Sequence, residues 1–226
     1  MPSPQRPSAP SSGADADPGH SAGREAAAAH PHGDLWVFGY GSLMWRPGFV
    51  YASRCRATLR GWRRSLCIHS HVYRGTPEKP GLVLGLDRGG ACAGVAFRVA
   101  ASLRETTIRY LREREQATAV YLERVVPVTL ESGERVRALT FVADRMHPQY
   151  AGRLEREAML AVVRAGHGQS GDNAAYVTET HDHLAAIGVH DADLEWLTER
   201  LRRDAALETQ NAQETQDAAR TATAVR

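Results

Sequence analysis

The chain has 226 residues, 42% of them apolar, and carries 28 basic and 26 acidic side chains for a formal charge of +2. So even a balance argues against nucleic acid or a membrane surface as the main partner, and no run approaches the roughly 18 apolar residues that a spanning helix needs. Cys55, Cys67 and Cys92 are odd in number and form no CxxC pair, which speaks against a disulfide framework or a zinc site and fits a reducing, cytoplasmic compartment.

Residues 1–33 are rich in Pro, Ser, Ala, Gly and His, with no apolar period and no hydrophobic core of a secretory signal. They are expected to be a disordered leader. Leu35 to Gly39 reads as a short apolar strand ending in a glycine turn. Residues 58–69, with Leu59, Trp62, Leu66 and Ile68, read as a strand pair. Arg74-Gly75-Thr76-Pro77-Glu78-Lys79-Pro80-Gly81 is a loop whose two prolines forbid regular pairing. Leu82 to Leu86 and Ala93 to Val99 read as two further strands around a turn at Asp87 to Gly90.

A helix is predicted from about Ser102 to about Thr118, then a hairpin of Val125 to Leu130 and Val136 to Val142 around Glu131-Ser132-Gly133-Glu134. Three more helices follow at about 153–165, 173–187 and 191–202. Ser170 or Asp172 is the expected cap of the second, and Gly188 its terminator. Residues 204–226 are Ala, Thr, Gln and charge, and are expected to be disordered or frayed. Strands first and helices mostly last predict one α+β domain over 34–203, a mixed, mainly antiparallel sheet or small barrel with flanking helices.

Two segments suggest chemistry. In Phe38-Gly39-Tyr40-Gly41-Ser42-Leu43, two glycines directly after a strand allow a tight turn that presents backbone N–H groups to a carboxylate or carbonyl oxygen. It is not a phosphate loop, since neither GxxxxGK[ST] nor GxGxxG is completed. In the first helix, Glu115 lies four residues after Leu111 and seven after Ile108, beside the apolar stripe, while Glu113 shares a side with Arg109 and Gln116. A carboxylate near the buried face has its pKa pushed up, as a general acid/base working near neutral pH needs.

The run Leu35-Trp36-Val37-Phe38-Gly39-Tyr40-Gly41-Ser42-Leu43-Met44-Trp45-Arg46-Pro47 resembles the opening signature of the ChaC-type γ-glutamylcyclotransferases. Arg74-Gly75-Thr76-Pro77 with Pro80-Gly81, Arg114-Glu115 with Tyr121, and Ser170-Gly171-Asp172-Asn173 with Tyr176 resemble later segments of that family in the same order. The resemblance spans about residues 35–187. It implies cleavage of the γ-glutamyl amide of glutathione to 5-oxoproline and Cys-Gly. Glu115 would be the catalytic carboxylate, because the family pattern puts it after an arginine and six positions before a tyrosine. Phe38, Gly39, Tyr40, Gly41, Ser42, Leu43, Arg74 and Tyr121 would bind substrate. No metal or organic cofactor is implied, and the partner is a small molecule; with no heptad or obvious interface stripe in the sequence, a monomer is the expected state. The chain departs from the family at Ala119-Val120, where glycine is frequent, so Val120 is expected to narrow the pocket.

Two other readings remain open at this stage. One keeps the chemistry on other γ-glutamyl amines or dipeptides; the other is a non-catalytic regulatory module, for which Glu115 would have no use. Arg74 is read as an anchor for a substrate carboxylate or as a salt-bridging loop residue. Arg63 and Arg64 are read as strand-surface charges, and Trp45 and Trp62 as core or pocket wall. Ser170, Asn173 and Tyr176 are read as a helix-start device near the pocket. His69-Ser70-His71 and His181-Asp182-His183 lack a third ligand at metal-binding spacing.

Overall fold

Five strands carry the architecture, and their apolar positions alternate between two faces. The computed structural model describes residues 33–115 and 119–224, with side chains to residue 216. The expected leader therefore lies outside the described residues apart from Gly33, as do residues 116–118 at the end of the first predicted helix. Strands β1 (Leu35–Gly39), β2 (Ser53–Ser70), β3 (Gly81–Val99), β4 (Tyr121–Leu130) and β5 (Arg135–Ala143) close into a barrel in the order β1-β3-β2-β4-β5. All neighbours are antiparallel except β1 and β5, which pair in parallel through Trp36↔Ala138 and Val37↔Leu139 and so remove the sheet edges.

The predicted strand pair at 58–69 is one strand, and the predicted turn at Asp87 to Gly90 lies inside another. β2 and β3 form a long ribbon from Ser53↔Arg98 to Ser70↔Gly81. Its register shifts between Arg60 and Trp62, where Gly61 takes φ +82° opposite Gly89 and Gly90, also at positive φ. Glycines at one level on both strands make a bulge that bends the ribbon without ending it.

Alternation on β1 sends Phe38 to one apolar cluster and Val37 to another. Val37, Phe97 and Phe141 pack against Leu111 of helix α1 (Arg104–Glu115). The opposite cluster is covered by α2 (Arg156–Ala165), α3 (Asn173–Ala186) and α4 (Ala192–Ala224) through Leu160, Val163, Val177, Leu184, Leu194 and Leu197. Between α2 and α3 lies a two-stranded ribbon, β6 (His167–Gly168) with β7 (Gly171–Asp172).

Helix ends follow the backbone chemistry. Gly188 stops α3 at φ +67°, with the Val189 N–H donating to Leu184 O and the Gly188 N–H to Ala185 O. Asp172 stands at the N-cap of α3 without a side-chain cap; its carboxylate pairs with His167 Nδ1 at 2.6 Å. The side-chain cap falls instead to Asp191, whose Oδ1 accepts from the Leu194 N–H at 3.2 Å at the start of α4. That helix continues to Ala224 through the segment expected to be disordered or frayed, and from Ala205 to Thr215 its side chains are exposed. Among the described residues no helix is long and apolar enough to cross a membrane.

Candidate active site

The glycine loop leaves the end of β1 where the neighbouring strand has no side chain. A Cβ on Gly94 would lie 2.4 Å from Gly39 O, so only glycine permits this approach. Tyr40 and Gly41 then lead into a 3₁₀ turn at Ser42–Met44, closed by the Met44 N–H donating to Gly41 O at 2.9 Å. The first N–H groups of such a turn have no partner within it and point outward. Arg64, read from the sequence as a surface charge, is buried and holds this loop. Its Nε donates to Tyr40 O at 2.6 Å, one terminal nitrogen donates to Ala93 O at 2.7 Å, and the other lies 3.4 Å from Asp191.

Tyr40, Gly41, Ser42 and Leu43 form one wall of a recess of about 90 Å³, and Leu84, Glu115, Tyr121 and Tyr176 form the rest. Phe38 and Gly39 stand behind it: Phe38 is wholly buried in the core, where its carbonyl accepts from Thr140 Oγ1 at 3.0 Å. Tyr121 Oη donates to Leu84 O at 2.7 Å and Tyr176 Oη accepts from the Leu84 N–H at 3.1 Å, so both rings are fixed to β3. The Tyr40 hydroxyl has no partner among the described residues. Burial raises the pKa of all three phenols, first by desolvation, and each keeps its proton.

Glu115 ends α1 at the mouth of this recess, with its side chain 19% exposed, while Glu113 is exposed, as the helical geometry predicts. Desolvation by burial raises the Glu115 pKa above its ordinary value, and Arg114, whose Nε lies 3.1 Å from Oε1, opposes the rise. Arg114 also donates to Ser42 Oγ at 2.9 Å, to Arg46 O at 2.7 Å and to Tyr110 Oη at 3.0 Å. It thus links the carboxylate to the glycine loop. Its place in the Arg114-Glu115 pair was the only sequence signal of this role; Leu84 had none beyond a strand pattern.

Arg74 does not line the recess and makes no salt bridge among the described residues. Its guanidinium donates to Ser170 O at 2.7 Å and Asp172 O at 3.2 Å, and lies over the Tyr176 ring at 5.3 Å. Here the chain crosses itself: a Cβ on Gly81 would lie 2.1 Å from Arg74 O. Buried Asn173 completes the crossing by accepting from the Leu82 N–H at 2.6 Å and donating to Leu82 O at 2.8 Å. The Ser170–Tyr176 segment therefore docks α3 on β3 and delivers Tyr176 to the recess.

Glu115 and Tyr121 also form part of a second chamber of about 250 Å³, whose other walls include Ile68, His69, Val83, Val120 and Gln149. Val120 is one of its lining residues and is almost fully buried. Preceding it, Ala119 adopts φ +54°, a conformation that favours glycine. His183 stacks on Trp45 with ring centroids 4.6 Å apart, and His181 lies 3.1 Å from Asp182. Among the described residues no three His, Cys, Asp or Glu side chains converge as metal ligands.

Residues 35–204 match the model of the ChaC-like protein family. The chain is 35% identical over 162 residues to a glutathione-specific γ-glutamylcyclotransferase of Escherichia coli, covering 72% of this chain and 70% of that one. It is 32% identical to the human glutathione-specific γ-glutamylcyclotransferase 1, covering 68% and 71%. A crystal structure of a yeast γ-glutamyl cyclotransferase specific to glutathione superposes with a TM-score of 0.67 at 22% identity, over 76% of this chain and 96% of that chain. That last likeness is one of fold.

Proposed function

The chain belongs to the ChaC-like family, and we propose from that membership that it cleaves the γ-glutamyl amide of glutathione by cyclisation, releasing 5-oxoproline and Cys-Gly. The observation that carries the mechanism is a single carboxylate, Glu115, mostly buried and standing where a recess of about 90 Å³ meets a larger chamber.

The substrate brings its own nucleophile. Its α-amine can reach the γ-carbonyl carbon to close a five-membered ring, so the enzyme needs no serine or cysteine for attack. Holding the glutamyl unit folded gains an effective molarity of about 10⁵ M or more. Glu115 in its ionised form takes a proton from the α-ammonium, and the freed amine attacks the carbonyl carbon. As the C–N bond to Cys-Gly breaks, protonated Glu115 gives its proton to the departing nitrogen; the regenerated carboxylate then takes the second proton from the ring nitrogen, leaving the neutral lactam, and passes it to the released amine of Cys-Gly. A carboxyl whose pKa is raised towards the working pH suits both steps.

The N–H groups of Gly41, Ser42 and Leu43 serve the developing oxyanion or the substrate's α-carboxylate. Tyr40, with its free hydroxyl, contacts the glutamyl unit; Tyr121 forms the wall shared by both cavities. Phe38 and Gly39 act from behind, by shaping the turn, and Arg74 by holding the crossing that carries Tyr176. The enzyme works as a monomer on a free small molecule in a cytoplasmic, reducing setting, where its three unpaired cysteines persist as thiols.

The test is detection of 5-oxoproline and Cys-Gly by mass spectrometry after incubation with reduced glutathione, with Glu115→Gln alongside. Loss of about 10²–10⁴-fold in kcat is expected for the variant. A folded wild type that leaves glutathione intact would refute the reaction; an active variant would refute the base. Comparable turnover of γ-Glu-Ala and glutathione would remove the glutathione preference while keeping the chemistry.

A further inference from the structure

Cyclisation leaves one part of the substrate unaccounted for. The glutamyl unit is held in the recess by the glycine loop, and the scissile nitrogen lies at Glu115. The remainder of the substrate must project from Glu115 on its other side, and that side is the chamber of about 250 Å³.

One wall of the chamber is His69, near the end of β2. Its backbone is clamped: the His69 N–H donates to Gln149 O at 2.7 Å, and Gln149 Nε2 donates to His69 O at 2.8 Å. Its ring is not clamped. Nδ1 is shielded from solvent and has no hydrogen-bond partner among the described residues. Nε2 is not among the buried unpartnered atoms, the residue is half-buried, and His69 lines the chamber. His71 lies beside it, ring centroids 6.3 Å apart and nearly parallel. An imidazole carried on a clamped backbone, with a bare buried nitrogen and the other nitrogen accessible, has no tautomer imposed on it by the protein. Burial, followed by the neighbouring His71, also lowers its pKa, which favours the uncharged ring.

We propose that this chamber receives the departing dipeptide and that His69 is the residue that selects for it, by a hydrogen bond from its Nε2 edge to the peptide main chain. A neutral imidazole free to carry its proton on either nitrogen can donate to a peptide carbonyl or accept from a peptide N–H. An alkylamine leaving group offers neither. The selection is therefore for γ-glutamyl peptides over γ-glutamyl alkylamines, made at a residue that does not touch the reacting atoms. This rests on the cyclisation reading above.

Binding of the product Cys-Gly, measured by NMR titration of the full chain in reducing buffer, tests the site without turnover. The His69 ring nitrogen signals of the wild type should move on addition of Cys-Gly. His69→Phe should weaken Cys-Gly about tenfold, as expected for one lost hydrogen bond. His69→Gln, whose amide reaches to about the position of Nε2, should restore affinity to within about threefold of the wild type. Binding of 5-oxoproline, which occupies the recess, should be the same in all three proteins and reports that the variants are folded. Equal Cys-Gly affinity in the wild type and His69→Phe would overturn the proposal. So would parallel loss of Cys-Gly and 5-oxoproline, which would mark His69 as structural. Failure of the cyclisation reading appears separately, as a wild type that makes no 5-oxoproline from glutathione, and His69-dependent Cys-Gly binding would support the chamber assignment even then.

Discussion

Replacing Arg64 by methionine isolates the device that holds the glycine loop, because the methionine stem fills most of the space of the arginine's methylenes. Two carbonyls, Tyr40 O and Ala93 O, lose charged donors at 2.6 and 2.7 Å. Each such bond contributes about 1.5–3 kcal/mol, a gross loss of about 3–6 kcal/mol. Part of this is returned, since the substitution also removes a buried charge whose carboxylate partner, Asp191, stands off at 3.4 Å. A net loss of about 2–3 kcal/mol is expected, which for a domain of this size lowers Tm by about 4–12 °C. The freed loop should also lower kcat/KM for glutathione by up to about 100-fold, the effect of misplacing a bound substrate by roughly 1 Å. Arg64→Lys should recover little, since a single ammonium cannot reproduce the planar fork that serves both carbonyls. Thermal melting and steady-state kinetics on the three proteins provide the check. An Arg64→Met protein with unchanged Tm and unchanged kcat/KM would refute the reasoning, and a large Tm loss with normal kinetics would refute the link from Arg64 to the site.

Burial raises the Glu115 pKa, so the acidic limb of the kcat/KM profile should lie above the ordinary carboxylate value of 4.5, with activity growing as pH rises through it. A limb at the ordinary value would contradict the burial argument. The same shift acts on stability: Glu115 contributes stability at low pH that is lost as pH rises through its raised pKa, and Glu115→Gln should flatten that part of the Tm-against-pH curve. Ala119→Gly should raise stability by about 0.5–1 kcal/mol, because the left-handed conformation at φ +54° costs alanine more than the added chain entropy costs glycine. Urea unfolding measures it, and a loss of stability would show that the alanine methyl is needed where it stands.

The sequence carried the parts of this protein that local chemistry dictates. Apolar alternation marked the strands, Gly188 marked the end of α3, and helical spacing placed Glu115 near the buried face and Glu113 in solvent. The ordered motifs added the reaction, because each has residues whose type is constrained at a short, fixed spacing. Only the tertiary structure decided matters that depend on what lies opposite in space. Gly89-Gly90 looks the same whether it ends a hairpin or bends a ribbon; that it stands across from Gly61 makes it a bulge. Arg64 has no local feature that separates it from Arg63, yet barrel closure puts one against Tyr40 O and leaves the other partly exposed beside Asp87. Arg74 and Ser170 are 96 residues apart, and their contact exists only because α3 docks on β3. Long-range packing selects among side chains that are chemically alike, and a linear chain records the side chains without the neighbours that distinguish them.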